Sequence, residues 1–259
     1  MRLYLFEIFG FKIPSYGVMI CIGLISAFLI TMKIGKKHGM DEDDLYGLFI
    51  QTVIFGVLGG KLLWIITEFK SVIEEPMSII TEFGYGFVIY GAIIGGTLGI
   101  LLYAKKLKWS FFDITDLAAP AVAVAQGFGR IGCFLAGCCH GKATHSSFGV
   151  LFPSNSLAPS TMRLYPTQIA SSIFDFILGV FLIWYTSKNP KKGKTTGLYF
   201  IIYSIGRFIV EFFRGDERGN VGFLSTSQFI AIFILIGGLV VFFYDKIKNK
   251  KNAESKNED

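Results

Sequence analysis

The sequence predicts an all-α integral membrane protein, a polytopic bundle of seven transmembrane helices with its N-terminus outside and its C-terminus in the cytoplasm. Hydrophobic residues make up 52% of the 259 residues and charged residues only 17%, whereas a soluble domain carries about 25% charged residues. Apolar windows of about 20 residues, the length that crosses a bilayer, recur along the chain. The 27 Phe and 30 Gly residues also suit closely packed membrane helices.

Seven windows are long and apolar enough, or nearly so, to cross the membrane. They comprise residues 13–33, 45–66, 85–104, 114–136, 166–187, 197–214 and 226–245. We therefore expect residues 1–245 to form a single seven-helix membrane domain. Residues 246–259 are polar and lack aromatic side chains, which predicts a disordered basic tail in the cytoplasm.

The distribution of basic residues predicts the orientation. Lysines follow the first, third, fifth and seventh windows, for example Lys33, Lys105, Lys188 and Lys246. The opposite connections contain arginines, acids, glycines and cysteines instead. Because basic residues concentrate in cytoplasmic loops, the lysine-rich side is assigned to the cytoplasm. The net charge of +6 then reflects topology, and we expect no nucleic-acid partner, which would require a basic face on a soluble domain.

The sixth window contains the densest set of charges. Arg207 and Glu211 are four residues apart, and Glu211 and Arg214 are three apart, so all three share one helix face. Ionisable residues within the membrane cost about 2.5–3.5 kcal/mol each on insertion scales, so each needs a reason. One interpretation is a self-neutralising ladder of ion pairs. The other is a carboxylate that orients two guanidiniums toward a bound anion, since Arg binds phosphate through paired hydrogen bonds.

A glycine-rich segment, residues 127–141, surrounds Arg130 at the outer end of the fourth window. Gly129, Gly132 and Gly141 permit close approach of the backbone to an anionic head group. Helix packing through small residues is the alternative. Lys61, inside the second window, adds a positive charge that we expect in the same cavity.

Cys133, Cys138, Cys139 and His140 form a C-x4-C-C-H pattern. This spacing differs from the usual CxxC pair of zinc sites, so no metal and no other cofactor is expected. A disulfide on the oxidising outer face and a catalytic thiol both stay open. His140 is a candidate general base, with a solvated loop side chain as the alternative.

Two tyrosines and a glutamine complete the candidates. Tyr16 precedes Gly17 at the start of the first window, and Tyr90 precedes Gly91 in the third. The glycines leave room for a ligand beside each ring, although membrane tyrosines commonly anchor or pack helices. Gln168, at the start of the fifth window, is placed to donate to a head-group oxygen.

Five motifs in order resemble those of the prolipoprotein diacylglyceryl transferase family, and the resemblance covers the whole chain. Tyr16-Gly17 is similar to its early Y-G, and Gly60-Lys61-Leu62 to its G-R-L. Residues 129–134 resemble its G-R-x-G-N-F, residues 166–168 its P-S-Q, and residues 210–214 match its V-E-F-F-R.

The resemblance implies a bacterial cytoplasmic membrane enzyme that moves the diacylglyceryl group of phosphatidylglycerol onto the lipobox cysteine of prolipoproteins. Its implied partners are phosphatidylglycerol, prolipoprotein signal peptides and membrane lipids. For this reaction we expect Arg130, Arg214 and Glu211 as catalytic residues, with Tyr90, or less favourably His140, taking the thiol proton. The expected substrate-binding residues are Tyr16, Lys61, Gly129, Gly132, Gly141, Gln168 and Arg207.

The sequence departs from the family pattern at four places. Tyr90 stands where the family has His, Cys133 where it has Asn, and Cys138 where it has Glu. Residues 214–217 lack the Pro of the family's R-x-P-D. Two alternatives therefore stay open: a related membrane lipid-group transferase with a different acceptor, and a non-catalytic lipid-binding or transport protein.

Overall fold

The computed structural model describes residues 3–8, 11–77, 79, 86–216 and 219–255, so Glu217 of the 214–217 stretch lies outside the described residues. Within this part the chain forms eight helices and four short strands. The helices are α1 Ser15–Lys37, α2 Glu42–Thr67, α3 Phe69–Glu74, α4 Ile89–Leu107, α5 Phe111–Ala136, α6 Thr167–Thr186, α7 Lys194–Glu211 and α8 Thr226–Ser255. The strands β1 Tyr4–Ile8 and β2 Phe11–Pro14, and β3 Asn220–Val221 and β4 Leu224–Ser225, pair as two antiparallel hairpins.

Five of the helices, α1, α2, α5, α6 and α8, are long and apolar enough to cross a membrane. Among the described residues, α4 and α7 do not meet the same criterion. Glycines and the terminal lysines lower the hydropathy of α4, and Lys194, Arg207 and Glu211 lower that of α7. The structure thus confirms a helical protein with several apolar helices, in keeping with a multi-pass membrane protein.

The last helix continues into the predicted tail. Helix α8 runs to Ser255, and residues 256–259 lie outside the described part. Lysine, alanine and glutamate have high helix propensity, so this polar segment can extend the apolar helix that precedes it.

The chain forms two compact units. One unit is Gly35–Ile114, and the other combines Met1–Ile34 with Thr115–Asp259. In the first unit, α2 and α4 pack through glycines. A Cβ on Gly59 would lie 2.9 Å from the Cα of Gly95, and one on Gly91 would lie 2.6 Å from the Cβ of Leu63. These glycines therefore act in helix packing, as small residues do in membrane bundles.

The second unit has its core between α5, α6 and α7. Small residues of α5, Ala119 and Ala123, pack against Leu178 and Leu182 of α6 and Tyr199 of α7. Their size lets the larger side chains of the neighbouring helices fill the interface. This packing brings the three helices that carry most of the candidate residues side by side.

Buried hydrogen bonds set the axial positions of these helices. The Asp116 carboxylate on α5 accepts hydrogen bonds from the backbone amides of Gly193 and Thr196, at 2.6 Å and 2.7 Å. It thereby satisfies amides at the start of α7 that lack partners within the helix. Farther along α5, the Gly127 carbonyl accepts a hydrogen bond from Ser172 at 2.9 Å.

Five helix ends of the second unit meet at one place. The end of α5 contacts the start of α1, because a Cβ on Gly132 would lie 2.9 Å from the Tyr16 ring. The start of α6 binds the segment after α5 through Gln168 and the Cys138 carbonyl. The end of α7 binds the start of α8, where Arg207 contacts Ser227 at 2.8 Å. Most of the candidate residues gather at this end.

The helices also carry extensive apolar surface. On α6 the side chains of Ile177 and Val180 are 65% and 66% exposed. Exposed apolar faces of this extent are atypical of soluble monomers and suit helices that contact lipid.

Candidate active site at the gathered helix ends

A small pocket, partly open to solvent, lies between α5, α6 and α7. Arg130 comes from α5, Asp175 from α6, and Arg207 from α7. The remaining lining residues are Ser171, Phe174, Tyr203, Gly206 and Val210. The pocket thus unites two arginines that the sequence places on separate helices.

Asp175 is a pocket residue that the sequence analysis missed. Asp175 is only 2% exposed, and its carboxylate interacts electrostatically with both Arg130 and Arg207. Asp175 is the sole acid between residues 166 and 187. An ionisable residue in an apolar membrane helix is energetically costly and commonly functional, so this isolated acid could have been identified from the sequence as a site candidate.

Glu211 is paired primarily with Arg207. Its Oε2 atom lies 2.8 Å from the Arg207 Nη1, and its Oε1 accepts a hydrogen bond from the Ser225 hydroxyl at 2.9 Å. The predicted i,i+4 pairing is therefore present. The Glu211 carboxylate orients the guanidinium of Arg207, and Arg207 also lines the pocket.

Arg214 is held by Asp216 more closely than by Glu211. Its Nε and Nη2 donate to the two carboxylate oxygens of Asp216 at 2.8 Å and 2.6 Å. The distance from its Nε to the Glu211 Oε2 is 4.0 Å. The two arginines of the sixth window thus have separate principal carboxylate partners, where we expected Glu211 to orient both.

The backbone around Arg214 is tied to the segment that follows α5. Gly141 and Arg214 form an antiparallel bridge, and the Gly215 amide donates to the His140 carbonyl at 3.1 Å. A Cβ on Gly141 would lie 2.6 Å from the Tyr165 carbonyl oxygen and 2.9 Å from that of Phe213. Only glycine fits between these two backbone segments.

His140 lies at the same bridge. Its Nδ1 is 3.0 Å from the Gly141 carbonyl oxygen. When Nδ1 carries the ring proton and donates to this carbonyl, Nε2 retains a lone pair that can accept a proton.

Three of the four cysteines come together beside the arginines. The sulphur atoms of Cys133, Cys138 and Cys139 all lie within 4.8 Å of one another. Hydrogen bonds from Cys133 and Cys138, together with the Arg214 guanidinium, hold the pKa of Cys139 well below its usual value. Arg130 also interacts electrostatically with Cys133 and Cys139.

The start of α6 holds this cysteine segment in place. Gln168 Nε2 donates to the Cys138 carbonyl at 2.8 Å, and the Thr167 hydroxyl donates to the Cys139 carbonyl at 3.0 Å. Gln168 is almost completely buried, and its Oε1 has no hydrogen-bond partner within the described residues. The bond to Cys138 uses one of the two Nε2 hydrogens, and the unpartnered oxygen can accept a hydrogen bond.

Tyr16 and two glycines line the junction of α1 and α5. The Tyr16 ring packs over Gly132 and interacts electrostatically with Cys133 and Cys138. Gly129 has more space, since a Cβ there would lie 3.7 Å from Ile20 as its nearest neighbour. Tyr16 and Gly132 therefore border the cysteine cluster.

Lys61 and Tyr90 belong to the Gly35–Ile114 unit. Lys61 is buried, at 6% exposure, and its Nζ lies 4.1 Å from the centre of the Trp64 ring, a cation–π contact. Tyr90 lies in the first turn of α4 and is 53% exposed.

Comparison with known proteins identifies the family. Residues 3–244 match the family model described as prolipoprotein diacylglyceryl transferase. A protein of Clostridium perfringens named phosphatidylglycerol–prolipoprotein diacylglyceryl transferase 2 is 59% identical over 99% of this chain and 100% of its own length. Proteins named phosphatidylglycerol–prolipoprotein diacylglyceryl transferase from Clostridium tetani and Clostridium novyi are 52% and 32% identical, over 96% and 95% of this chain and 100% and 96% of their own. The chain belongs to the prolipoprotein diacylglyceryl transferase family.

Proposed function

We propose that this protein transfers the diacylglyceryl group of phosphatidylglycerol to the lipobox cysteine thiol of prolipoproteins and forms a thioether. Relatives that match nearly the whole chain are named for this reaction. The observation that carries the proposal is the pocket in which Arg130 and Arg207 lie beside Asp175 among apolar helices. Guanidiniums that face such a pocket suit the phosphate of an anionic lipid.

The proposal places the enzyme in the bacterial cytoplasmic membrane with seven spans, formed by α1, α2 and α4 to α8. Its N-terminus is outside and its C-terminus is cytoplasmic. The lysine-rich connections support this orientation. The gathering of the starts of α1, α6 and α8 with the ends of α5 and α7 also supports alternating directions of crossing.

The reaction is a displacement at the glycerol carbon that carries the phosphate. The lipobox thiol loses its proton to a base, and its sulphur forms a C–S bond to that carbon. The C–O bond to phosphate breaks, and its electron pair leaves with glycerol 1-phosphate. The enzyme must therefore stabilise negative charge on the phosphate and accept one proton.

Arg130 and Arg214 are assigned to the phosphate as catalytic residues. Preorganised donors that face developing charge lower a barrier by about 2.7–4 kcal/mol each. The ion pairs of Glu211 with Arg207 and of Asp216 with Arg214 keep the guanidiniums preorganised. Glu211 is thus a positioning residue that orients Arg207.

The proton acceptor is assigned to His140 or Tyr90. His140 has the better-defined geometry, because its Nδ1 contact with the Gly141 carbonyl leaves Nε2 as the basic atom. Tyr90 occupies the family's histidine position, but a phenol is a weak base and needs neighbouring cations to act.

The remaining candidates are assigned to substrate binding. Arg207 lines the pocket, and the unpartnered Gln168 Oε1 can accept a hydrogen bond from a glycerol hydroxyl. The other members of this group are Tyr16, Lys61, Gly129, Gly132 and Gly141.

The test replaces Arg130 and Arg214, each with Ala and with Lys, in purified enzyme. Transfer of radiolabelled lipid from phosphatidylglycerol to a prolipoprotein peptide is then followed. We expect each Ala variant to lose about 100–1,000-fold in rate. Lys should restore little, since it lacks the paired donors of Arg. Arg163→Ala is the matched control, because Arg163 is exposed on the loop between α5 and α6.

Undiminished transfer by the Arg130 and Arg214 variants would contradict the assigned roles. Failure of the wild-type protein to lipidate the peptide, or to complement cells depleted of their own enzyme, would contradict the proposed reaction. Transfer of lipid to some other acceptor would instead support the related-transferase alternative.

A further inference from the structure

The three clustered thiols have the mutual spacing that a coordinated metal ion requires. Among the described residues, Cys133, Cys138 and Cys139 are the one group of three or more His, Cys, Asp or Glu side chains whose ligand atoms come so close, within 4.8 Å. A zinc–sulphur bond of about 2.3 Å implies sulphur atoms about 3.8 Å apart in a tetrahedral site. The sulphur atoms therefore need to approach by no more than about 1 Å, which side-chain rotation can supply.

The backbone that carries the thiols is fixed by contacts independent of them. Cys133 lies in the last turns of α5, whereas Cys138 and Cys139 follow a turn at Gly137. Gly137 and Cys139 both have left-handed backbone angles, with φ of 82° and 61°. Thr167 and Gln168 hold the carbonyls of Cys139 and Cys138. This turn brings together three sulphur atoms whose sequence spacing disfavours a metal site.

The electrostatic surroundings suit an anionic metal–thiolate centre. All three cysteines bind a metal as thiolates, so a monovalent or divalent ion leaves the site with a net negative charge. Arg130 interacts electrostatically with Cys133 and Cys139, and Arg214 with Cys139. These guanidiniums can offset the negative charge that a buried thiolate site would otherwise carry.

A disulfide would involve only two of the three clustered cysteines, whereas a metal ion can bind all three. Cys138 and Cys139 are adjacent in sequence, and either pairing with Cys133 leaves the third thiol unused beside the bond. Three convergent thiols are the ligand set of a soft metal ion, such as Zn²⁺ or Cu⁺.

We propose that Cys133, Cys138 and Cys139 form a three-sulphur site for a thiophilic metal ion. The ion ties the end of α5 to the turn that precedes Gly141, and so supports the bridge between Gly141 and Arg214. This role is structural and does not depend on the transferase reaction. A fourth ligand to a divalent ion is supplied by water.

The experiment titrates Cd²⁺, a spectroscopic probe for thiolate ligation, into purified, reduced and metal-depleted full-length protein in detergent. We expect a thiolate-to-metal charge-transfer absorption that saturates at one Cd²⁺ per chain. Competition with a chelator measures the Cd²⁺ affinity. Added Zn²⁺ should displace Cd²⁺ and so reduce the absorption. Cys21→Ser is the matched control, because Cys21 is a free thiol exposed on α1, and it should retain wild-type binding.

Cys133→Ser should weaken Cd²⁺ binding by more than about tenfold. If this variant fails to fold, Thr167→Val provides a second test, since it removes only the hydrogen bond to the Cys139 carbonyl and should weaken binding by roughly tenfold. Absence of the absorption in wild-type protein would overturn the proposal. So would unchanged binding in both variants, or a count of fewer than four free thiols in unfolded, unreduced protein.

Discussion

Arg214 is bound by Asp216 through two contacts, at 2.8 Å and 2.6 Å, whereas its Nε lies 4.0 Å from the nearest oxygen of Glu211. The two carboxylates thus orient different arginines. Glu211 orients Arg207 at the pocket, and Asp216 orients Arg214 at the bridge with Gly141. Each assignment leads to a separate experiment.

Asp216→Asn should lower the transfer rate about tenfold. The amide preserves the shape but removes a charge-assisted pair, which contributes about 1.5–3 kcal/mol, and the lower end applies because Asp216 is partly exposed. The rate is measured with the radiolabelled lipid assay. Glu74→Gln, which removes an exposed carboxylate in the other unit, should leave the rate unchanged. Equal rates for wild type and Asp216→Asn would show that Arg214 needs no carboxylate partner.

Gly141→Ala and Gly129→Ala should have opposite consequences. At Gly141 a Cβ meets backbone oxygens at 2.6 Å and 2.9 Å, so we expect a loss of about 1–3 kcal/mol in stability. At Gly129 the nearest atom is 3.7 Å away within a helix, so alanine should be neutral or stabilise by about 0.4–1 kcal/mol. Thermal unfolding in detergent measures both.

The same pair also tests substrate binding. If Gly129 admits lipid against its backbone, Gly129→Ala should impair transfer even though it folds normally. Full transfer by this variant would remove Gly129 from the binding residues.

Asp175→Asn should destabilise the protein by about 1–3 kcal/mol, because it removes the buried carboxylate that offsets the charges of Arg130 and Arg207. An anionic lipid should supply the missing charge. We therefore expect phosphatidylglycerol to raise the unfolding temperature of this variant more than that of the wild type. Phosphatidylcholine, with no net charge, serves as the control lipid. An equal response to both lipids would contradict an anion-binding pocket.

Asp116→Ala should reduce stability without impairing catalysis. It leaves the amides of Gly193 and Thr196 without their acceptor, and loss of such a cap costs about 0.5–2 kcal/mol. The site lies at the opposite end of α7 from Glu211. Unfolding temperature should fall, while the transfer rate of the folded enzyme should stay within about twofold of wild type. A large loss of transfer rate in the folded variant would instead show that the Asp116 cap at the start of α7 influences the active site at its other end.

Features that depend on local periodicity could be predicted from the sequence. Apolar windows follow from composition along the chain, and helices cover most of each predicted window. The Arg207–Glu211 pair follows from helical spacing alone, and it is present at 2.8 Å. The division into two units was not predicted, because it depends on which helices pack together.

The sequence by itself determined the helical membrane character, the family and the arginines of the candidate site, because these reside in hydropathy and short motifs. Only the tertiary structure decided the partners of those arginines. Asp175 joins Arg130 and Arg207 through the packing of three helices. The turn at Gly137 gathers Cys133 with Cys138 and Cys139. Such contacts join groups from separate segments, and their distances depend on the path of the backbone between them.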